Sequence, residues 1–337
     1  MITKKRVIIL ALVFVLATLW VLSLDLSPDK NFVYGVSFSR FHSDELKLDW
    51  KKAYIAILDD LKIRHLRLTA HWPLTEPKKG VYNFSELDFQ IKEAEKRGDT
   101  IILAIGHRLP GWPECHTPDW VVSLSDVQHK QELLKYVEKV VERYKNSPAL
   151  QYWQVENELF LGFFSQPACK QHNMNAAQNL KEEIALVHRI DPAHPVITTD
   201  SGEFGTWYQA YQKGDVFGTS MYLYVWWRNF LGPIRYPITP AFFRIKHSVV
   251  RLIYGTKPSM VIELSGEPWL LQPLDETPID IQLQRMGIDK FNEMIDFSSK
   301  TGFDAFYFWG AEWWYWMKQN GHPELWDRAK ELYKNSP

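Results

Sequence analysis

Short apolar runs of four to seven residues, bounded by turn-forming residues, recur along the chain with amphipathic stretches between them. That alternation marks βα units, in which a buried parallel strand is followed by a helix that covers it. Eight strands are predicted, over residues 32–38, 65–68, 100–105, 150–155, 195–199, 216–220, 259–264 and 305–309. Eight helices follow them, over 50–61, 84–97, 125–144, 176–189, 205–212, 241–254, 282–301 and 323–335. The third is the most regular, with Leu133, Leu134, Val137, Val140, Val141 and Tyr144 at helical spacing. Eight such units close into a (β/α)8 TIM barrel. A doubly wound open sheet would use the same alternation, but it would carry a Gly-rich phosphate loop after the first strand, where Val36-Ser37-Phe38-Ser39-Arg40 stands instead. The expected fold class is therefore α/β, a single TIM barrel over residues 32–337.

Ahead of the barrel the pattern changes. Lys4, Lys5 and Arg6 precede an uncharged run over residues 7–24, which sits at the lower limit for crossing a ~30 Å hydrocarbon layer as a helix. Basic residues before such a run keep that end cytoplasmic, and Leu22-Ser23-Leu24-Asp25 offers no small-x-small cleavage site. The expectation is an N-terminal transmembrane anchor over 1–24, a linker over 25–31, and a barrel held outside the cytoplasm, or secreted if the segment is cleaved.

Composition narrows the function classes. Of 337 residues 46% are hydrophobic and 23% charged, which leaves ample core material and excludes disorder. Lys plus Arg is 39 against 40 for Asp plus Glu, which argues against a nucleic-acid partner. The 15 Trp exceed what a core of this size needs, so some have surface or cleft work. Only Cys115 and Cys169 are present. In an exported chain they either pair or remain two buried thiols. A zinc site from Cys115 with His107 and His116 lacks a fourth ligand and paired spacing, so neither metal nor organic cofactor is expected.

In a TIM barrel the active site lies at the C-terminal ends of the strands. There the sequence offers Arg67 on strand two, with His71 and Trp72 beyond it, and His107 after strand three. Glu156-Asn157-Glu158 follows strand four, Tyr222 and Tyr224 follow strand six, Glu263 and Glu267 follow strand seven, and Trp309 ends strand eight. Strands four and seven stand nearly opposite, so their acids can flank a bond bound across the mouth. Glycoside cleavage needs such a pair, one carboxyl protonated for the departing oxygen and one ionised to attack the anomeric carbon. Asn157 can hydrogen-bond a sugar hydroxyl, Arg67 can keep the opposite carboxylate ionised, and Tyr222 can orient it, although Tyr224 is an equal rival.

With these pieces in order, the chain resembles the (β/α)8-barrel clan of retaining glycoside hydrolases that carry acids on strands four and seven, the cellulase and β-galactosidase-like superfamily. The matching residues are Trp153-Gln154-Val155-Glu156-Asn157-Glu158, Val261-Ile262-Glu263-Leu264, Arg67 and Trp309, together with Trp72 and the Gly80-Val81-Tyr82-Asn83-Phe84 stretch. The resemblance implies Glu158 as general acid/base and Glu263 as nucleophile, with Glu267 as an alternative nucleophile and Glu156 as a weaker rival to Glu158. It implies an oligo- or polysaccharide substrate. His107, Trp309, Trp269 and Trp72 are further candidate sugar contacts, since indole faces pack against pyranose rings. Alternatives are a carbohydrate-binding barrel without turnover, tethered at a membrane, and a transglycosylase using the same residues.

One segment stands apart. Between Asp215 and Glu263 there is no acidic residue, yet Arg228, Arg235, Arg244, Lys246, Arg251 and Lys257 occur among Trp226, Trp227, Phe230, Phe242 and Phe243. Part of this 226–257 stretch either lies on the membrane surface beside the anchor or is an ordinary sixth helix with a loop that walls the cleft.

Overall fold

The computed structural model describes residues 4–24, 32–111, 114–161, 169, 176–226, 232–334 and 336. The expected linker over 25–31, and Trp112, Trp227, Arg228 and Phe230, lie outside the described residues. Eight parallel strands form a closed barrel: β1 (Val33–Phe38), β2 (His65–Thr69), β3 (Thr100–Ile105), β4 (Leu150–Val155), β5 (Val196–Asp200), β6 (Val216–Met221), β7 (Ser259–Ser265) and β8 (Ala305–Trp309). Each pairs with its neighbour in sequence, and β1 closes on β8 through Val33↔Ala305 to Val36↔Phe308. All eight strands fall within two residues of the positions predicted from apolar runs. Those runs read cleanly because a parallel strand is buried on both faces.

Register decides which side chains enter the barrel. Ile102, Ile197, Val216, Met260, Ile262 and Tyr307 form one interior cluster, separate from the much larger core between sheet and helices. Arg67 is paired with Ile102, and Gln154 with Ile197. Residues level with one another across a ladder point to the same face, so Arg67 and Gln154 also point inward. The floor depends on Gly35, where a Cβ would stand 2.6 Å from the Tyr307 ring and from the His65 carbonyl. That vacancy lets the Tyr307 ring lie across the barrel.

The helices start and stop where local chemistry dictates. Asp126–Tyr144 opens with a reciprocal Ser125 and Gln128 capping box, and Ser85–Arg97 ends at Gly98 in the left-handed region at φ 70°. Three short helices were not predicted: Arg40–Glu45, Trp72–Thr75 and Ala311–Gln319, which follow β1, β2 and β8. The last buries Trp313 and Trp314, whose indoles donate to Gln282 and to the Gly266 carbonyl at 2.6 and 2.7 Å. The predicted helix 282–301 is two helices, Ile279–Arg285 and Ile288–Ser299, parted at Met286 and Gly287. After β6 the chain forms a two-stranded antiparallel ribbon, Tyr224–Val225 with Ile234–Arg235, before the helix Pro240–Tyr254.

Lys4–Ser23 is a single helix. Leu12, Val13, Phe14, Val15, Leu16, Trp20 and Val21 are each more than half exposed. It lies against Pro240–Tyr254, and Arg244 Nε donates to the Ser23 carbonyl at 2.8 Å. Among the described residues no helix is long and apolar enough to cross a membrane.

Replacing Gly35 by Ala should destabilise the barrel by about 1–3 kcal/mol, the usual cost of forcing atoms into a packed core. Thermal unfolding followed by near-ultraviolet circular dichroism measures this, and an unshifted midpoint would contradict the account of the floor.

Candidate active site

The site is assembled around Arg67, which is fully buried inside the barrel. Its Nε donates to Gln154 Oε1 at 2.8 Å, and Nη2 donates to Asn157 Oδ1 at 2.8 Å. Nη1 donates to Glu263 Oε2 at 2.7 Å and to the Ile262 carbonyl at 3.2 Å, with Ser37 Oγ at 3.4 Å. One guanidinium therefore ties together β1, β2, β7 and the end of β4. A buried cation is tolerable only with such complete partnering.

Glu263 is held from its other side as well. The Tyr222 hydroxyl donates to Glu263 Oε1 at 2.7 Å. Burial, then the Glu263 charge and that hydrogen bond, push the Tyr222 phenol well above its ordinary value, so the hydroxyl keeps its proton. The rival Tyr224 turns away, its hydroxyl donating to Glu293.

Across the barrel β4 ends in an unusual backbone. Glu156 and Glu158 both have left-handed φ, 59° and 45°, so the chain turns twice within three residues. Glu156 is consumed by structure: its carboxylate accepts the backbone N–H groups of His107 and Arg108 at 2.6 and 2.7 Å. Gly106 is needed here, since a Cβ would stand 2.5 Å from Glu156 Oε1. Asn157 Oδ1 accepts from Arg67 and from Gln154 Nε2 at 3.1 Å. Its carbonyl end is thus fixed, which orients its amide NH2 as a donor.

Glu158 is buried, its N–H donating to Thr199 Oγ1 at 2.9 Å and its carbonyl accepting from Arg108 Nη1 at 2.9 Å. Burial raises its carboxyl well above the ordinary value, and the charges of Glu263 and Glu114 raise it further, against the Ser220 hydroxyl and the Arg108 charge. The two acids are therefore treated unequally. Ionisation of one is disfavoured, and the other is gripped by a cation and a phenol.

The remaining candidates fall in different places. Glu267 accepts from Trp309 Nε1 at 2.7 Å and meets His42 Nε2 at 2.7 Å. Burial opposes charge on His42, but Glu267, Glu45 and Glu312 together carry it well above its ordinary value. Both Glu267 oxygens are therefore committed to this wall. Trp309 is nearly buried, with Gly111 so close that a Cβ there would lie 2.9 Å from the indole. Trp269 is the open one, 39% exposed, with its ring edge-on to Tyr222 at 5.3 Å. Trp72 is fully buried between Tyr136, Trp120 and His129, its indole donating to Glu76 at 2.8 Å, so it has no face toward the mouth. His107 lies beside Trp72 and His129, with Nε2 at 2.8 Å from Thr117 Oγ1.

Cys115 and Cys169 form a disulfide with Cα atoms 5.4 Å apart, which removes Cys115 from any zinc site. Among the described residues no group of three or more His, Cys, Asp or Glu side chains could hold a metal ion. The disulfide joins the loops after β3 and β4. Next to it, Glu114 accepts from Arg108 Nε at 2.8 Å, and Arg108 in turn braces the Glu158 carbonyl.

Several of these groups escaped the sequence reading. Gln154 is a polar residue at an inward strand position, a signal present in the sequence. Glu114, Glu203, Glu312 and His42 come from loops and short helices whose folding no periodicity announces.

A closed eight-stranded barrel with opposed acids at its mouth is the architecture of the glycoside hydrolase clan that the motifs resemble, and the comparisons agree. A model of the beta-galactosidase family, glycosyl hydrolase 42, matches residues 41–175. Mannan endo-1,4-beta-mannosidase A of Podospora anserina is 27% identical over 133 residues, 36% of this chain and 33% of that protein. Native xylanase 10B from Thermotoga maritima superposes with a TM-score of 0.58 at 15% identity, covering 90% of this chain and 95% of the other. The beta-galactosidase of the haloarchaeon Halorubrum lacusprofundi gives 0.55 at 17% identity, over 82% and 52%. The chain thus spans about a third of the curated relative it matches and about half of that beta-galactosidase. The resemblance to the (β/α)8-barrel glycoside hydrolases holds in sequence and in fold.

Burial pushes Glu114, Glu203 and Glu312 up to about 7 each. Between the ordinary carboxyl value and that point the folded state binds more protons than the unfolded, so stability falls as pH rises through the window. Glu203→Gln should flatten the decline in unfolding temperature from about pH 5 to about pH 8. A slope equal to that of the parent would refute the assignment.

Proposed function

We propose that this chain is a retaining glycoside hydrolase acting on a β-linked glycan. The observation that carries the reading is the unequal state of the two opposed carboxyls. Glu158, buried and protonated, delivers its proton to the departing glycosidic oxygen. The Glu263 carboxylate, paired with Arg67 and oriented by Tyr222, attacks the anomeric carbon as that bond breaks. Glu158, now a carboxylate, takes a proton from water, whose oxygen displaces Glu263 and returns the starting state. The Asn157 amide donates to the sugar 2-hydroxyl, a bond that strengthens as charge develops on the ring. Glu263 is favoured over Glu267 as nucleophile because Glu267 is bound to Trp309 and to a charged His42. Trp269 offers the exposed ring for a neighbouring sugar.

Hydrolysis of aryl β-glycosides and of β-glucan, mannan and galactan by the full chain tests this, beside Glu158→Ala and Glu263→Ala. Each variant should lose on the order of 10³-fold or more in kcat, and azide should restore turnover to Glu263→Ala. Rescue of Glu267→Ala instead moves the nucleophile. Products longer than the substrate identify a transglycosylase, and binding without turnover identifies a tethered binding barrel.

We further propose that Lys4–Ser23 is a membrane anchor and that the barrel lies outside the cytoplasm. The supporting observation is that this helix carries exposed apolar side chains and lies against Pro240–Tyr254, whose Leu252 and Ile253 are 83% and 55% exposed. Most cations of that second helix are spent on the protein: Arg244 on the Ser23 and Lys300 carbonyls, Lys246 on the Gly202 carbonyl and over the Trp207 ring. Contact with lipid there would be apolar rather than electrostatic. The full chain should stay in the membrane fraction through carbonate and high-salt washes, and a chain lacking residues 1–24 should be released. Retention of the shortened chain that salt reverses would instead favour an electrostatic surface.

A further inference from the structure

Next to the catalytic mouth the ribbon after β6 and the two helices after β7 enclose a cavity of about 150 Å³. Its lining includes Tyr224, Ile234, Arg235, Trp269, Arg285 and Lys290. It is continuous with the site through Trp269, whose ring also stands edge-on to Tyr222, the residue that holds Glu263. A glycan running from the scissile bond across the exposed Trp269 face would enter it.

The cavity is rich in donors and poor in acceptors. Glu293 is the carboxylate that meets its cations, and it is already spent, accepting from Arg235 Nε at 2.8 Å and from the Tyr224 hydroxyl. Arg285 makes no ion pair with the described residues. Its guanidinium lies 4.9 Å over the Trp226 ring, and both Arg285 Nε and Trp226 Nε1 are buried without an acceptor. Lys290 gives one bond to the Gln284 carbonyl at 2.7 Å and lies 4.8 Å over the Tyr224 ring. Burial and the neighbouring Arg285 charge lower the Lys290 ammonium, against Glu293. Arg285 and Lys290 thus line the cavity with no carboxylate paired to either among the described residues, and a bound anion with several oxygens would supply the missing partner.

We propose that this cavity is a subsite for an anionic group on the glycan, a sugar carboxylate, sulfate or phosphate ester, held by Arg285 and Lys290 against the Trp269 ring. The inference rests on the glycosidase reading and refines it, assigning a charged polysaccharide as substrate class. An arginine and an ammonium side by side suit an oxyanion, with the planar guanidinium supplying directed donors and the lysine a point charge. The adjoining aromatic ring suits the apolar face of the sugar that carries it.

Matched tetrasaccharides that differ only at C6 test this: β-1,4-glucuronate against β-1,4-glucose, and β-1,4-mannuronate against β-1,4-mannose. Binding to the full chain carrying Glu263→Gln is followed by tryptophan fluorescence at low ionic strength. At least one uronate should bind about tenfold more tightly than its neutral partner, since charge-assisted bonds are roughly twice as strong as neutral ones, and added salt should erode the preference. Arg285→Gln with Lys290→Gln should abolish the preference while leaving the neutral tetramer within about twofold, the scatter of surface changes. The same double change in the parent should leave aryl-glycoside hydrolysis intact, which shows that the fold and catalytic centre survive. Equal affinity for charged and neutral tetramers, no uronate binding at millimolar concentration, or a preference that survives the double change overturns the proposal. Binding of inorganic sulfate with no tetramer preference would assign the cavity to a free anion and also overturn it. Failure of the glycosidase reading shows separately, as a parent chain that cleaves no aryl glycoside.

Discussion

A guanidinium in the middle of a barrel is the constraint from which the rest of the site follows. Arg67 cannot lose its charge, so the strands around it must supply acceptors or the fold fails. Ser37, Gln154, Asn157, the Ile262 carbonyl and Glu263 do so. This explains why polar residues occupy inward positions near the top of the barrel while Ile102, Ile197 and Ile262 fill the interior cluster. It also fixes the chemistry. Once Arg67 is satisfied by Glu263, that carboxylate is fixed in place between the guanidinium and the Tyr222 hydroxyl, and Asn157 can turn only its amide group outward. Removing the cation would leave its partners buried and unpaired, a loss of about 3–5 kcal/mol.

The other half of the site is built on the opposite principle. Glu158 sits where burial and the negative charges of Glu263 and Glu114 all disfavour ionisation, and Glu203 and Glu312 share that condition. Carboxyls whose charged form is disfavoured by burial are a stability cost as pH rises, and a fold keeps them only where something else compensates. Here the compensation is local. Arg108 bonds the Glu158 and Leu161 carbonyls, pairs with Glu114, and has its own N–H taken by Glu156. The Cys115–Cys169 disulfide closes the same loops. The acid is therefore strained toward its protonated form on a frame made stiff enough to bear it.

The barrel was legible because βα alternation is a strong signal, and the opposed acids were legible because strand ends in a TIM barrel are places where position implies exposure. What the sequence hid was which side chains look outward at those ends. Trp72 and Trp269 are equally plausible platforms as letters. Yet the short helix after β2 turns Trp72 into the core against Tyr136, whereas the chain beyond β7 leaves Trp269 open. Glu156 and Glu158 are told apart in sequence only by the Asn157 that precedes the second. Two left-handed residues in three, which no propensity predicts for glutamate, send one carboxylate to backbone N–H groups and leave the other for the mouth. Tyr222 and Tyr224 were undecidable for a related reason. The strand ends at Met221 and the ribbon starts at Tyr224, so simple alternation no longer applies to the pair.

The connection from β6 to β7 carries two features that a minimal βα unit would lack. Its first part folds back as the ribbon and builds one wall of the donor-rich cavity, with Tyr224 and Arg235 sharing Glu293. Its second part, Pro240–Tyr254, packs Phe243 and Val250 inward and leaves Leu252 and Ile253 facing out beside Lys4–Ser23. The absence of acids between Asp215 and Glu263 then has a structural cause of two kinds. In the ribbon, an added carboxylate would neutralise the cavity. In the helix, Lys246 is held by the Gly202 carbonyl and the Trp207 ring, and Arg244 donates to the Ser23 carbonyl, so a nearby acid would compete for cations that fix the helix on its neighbours. A single run of basic and aromatic residues thus serves a binding cavity at one end and helix packing at the other, two roles that one charge pattern in the sequence could not separate.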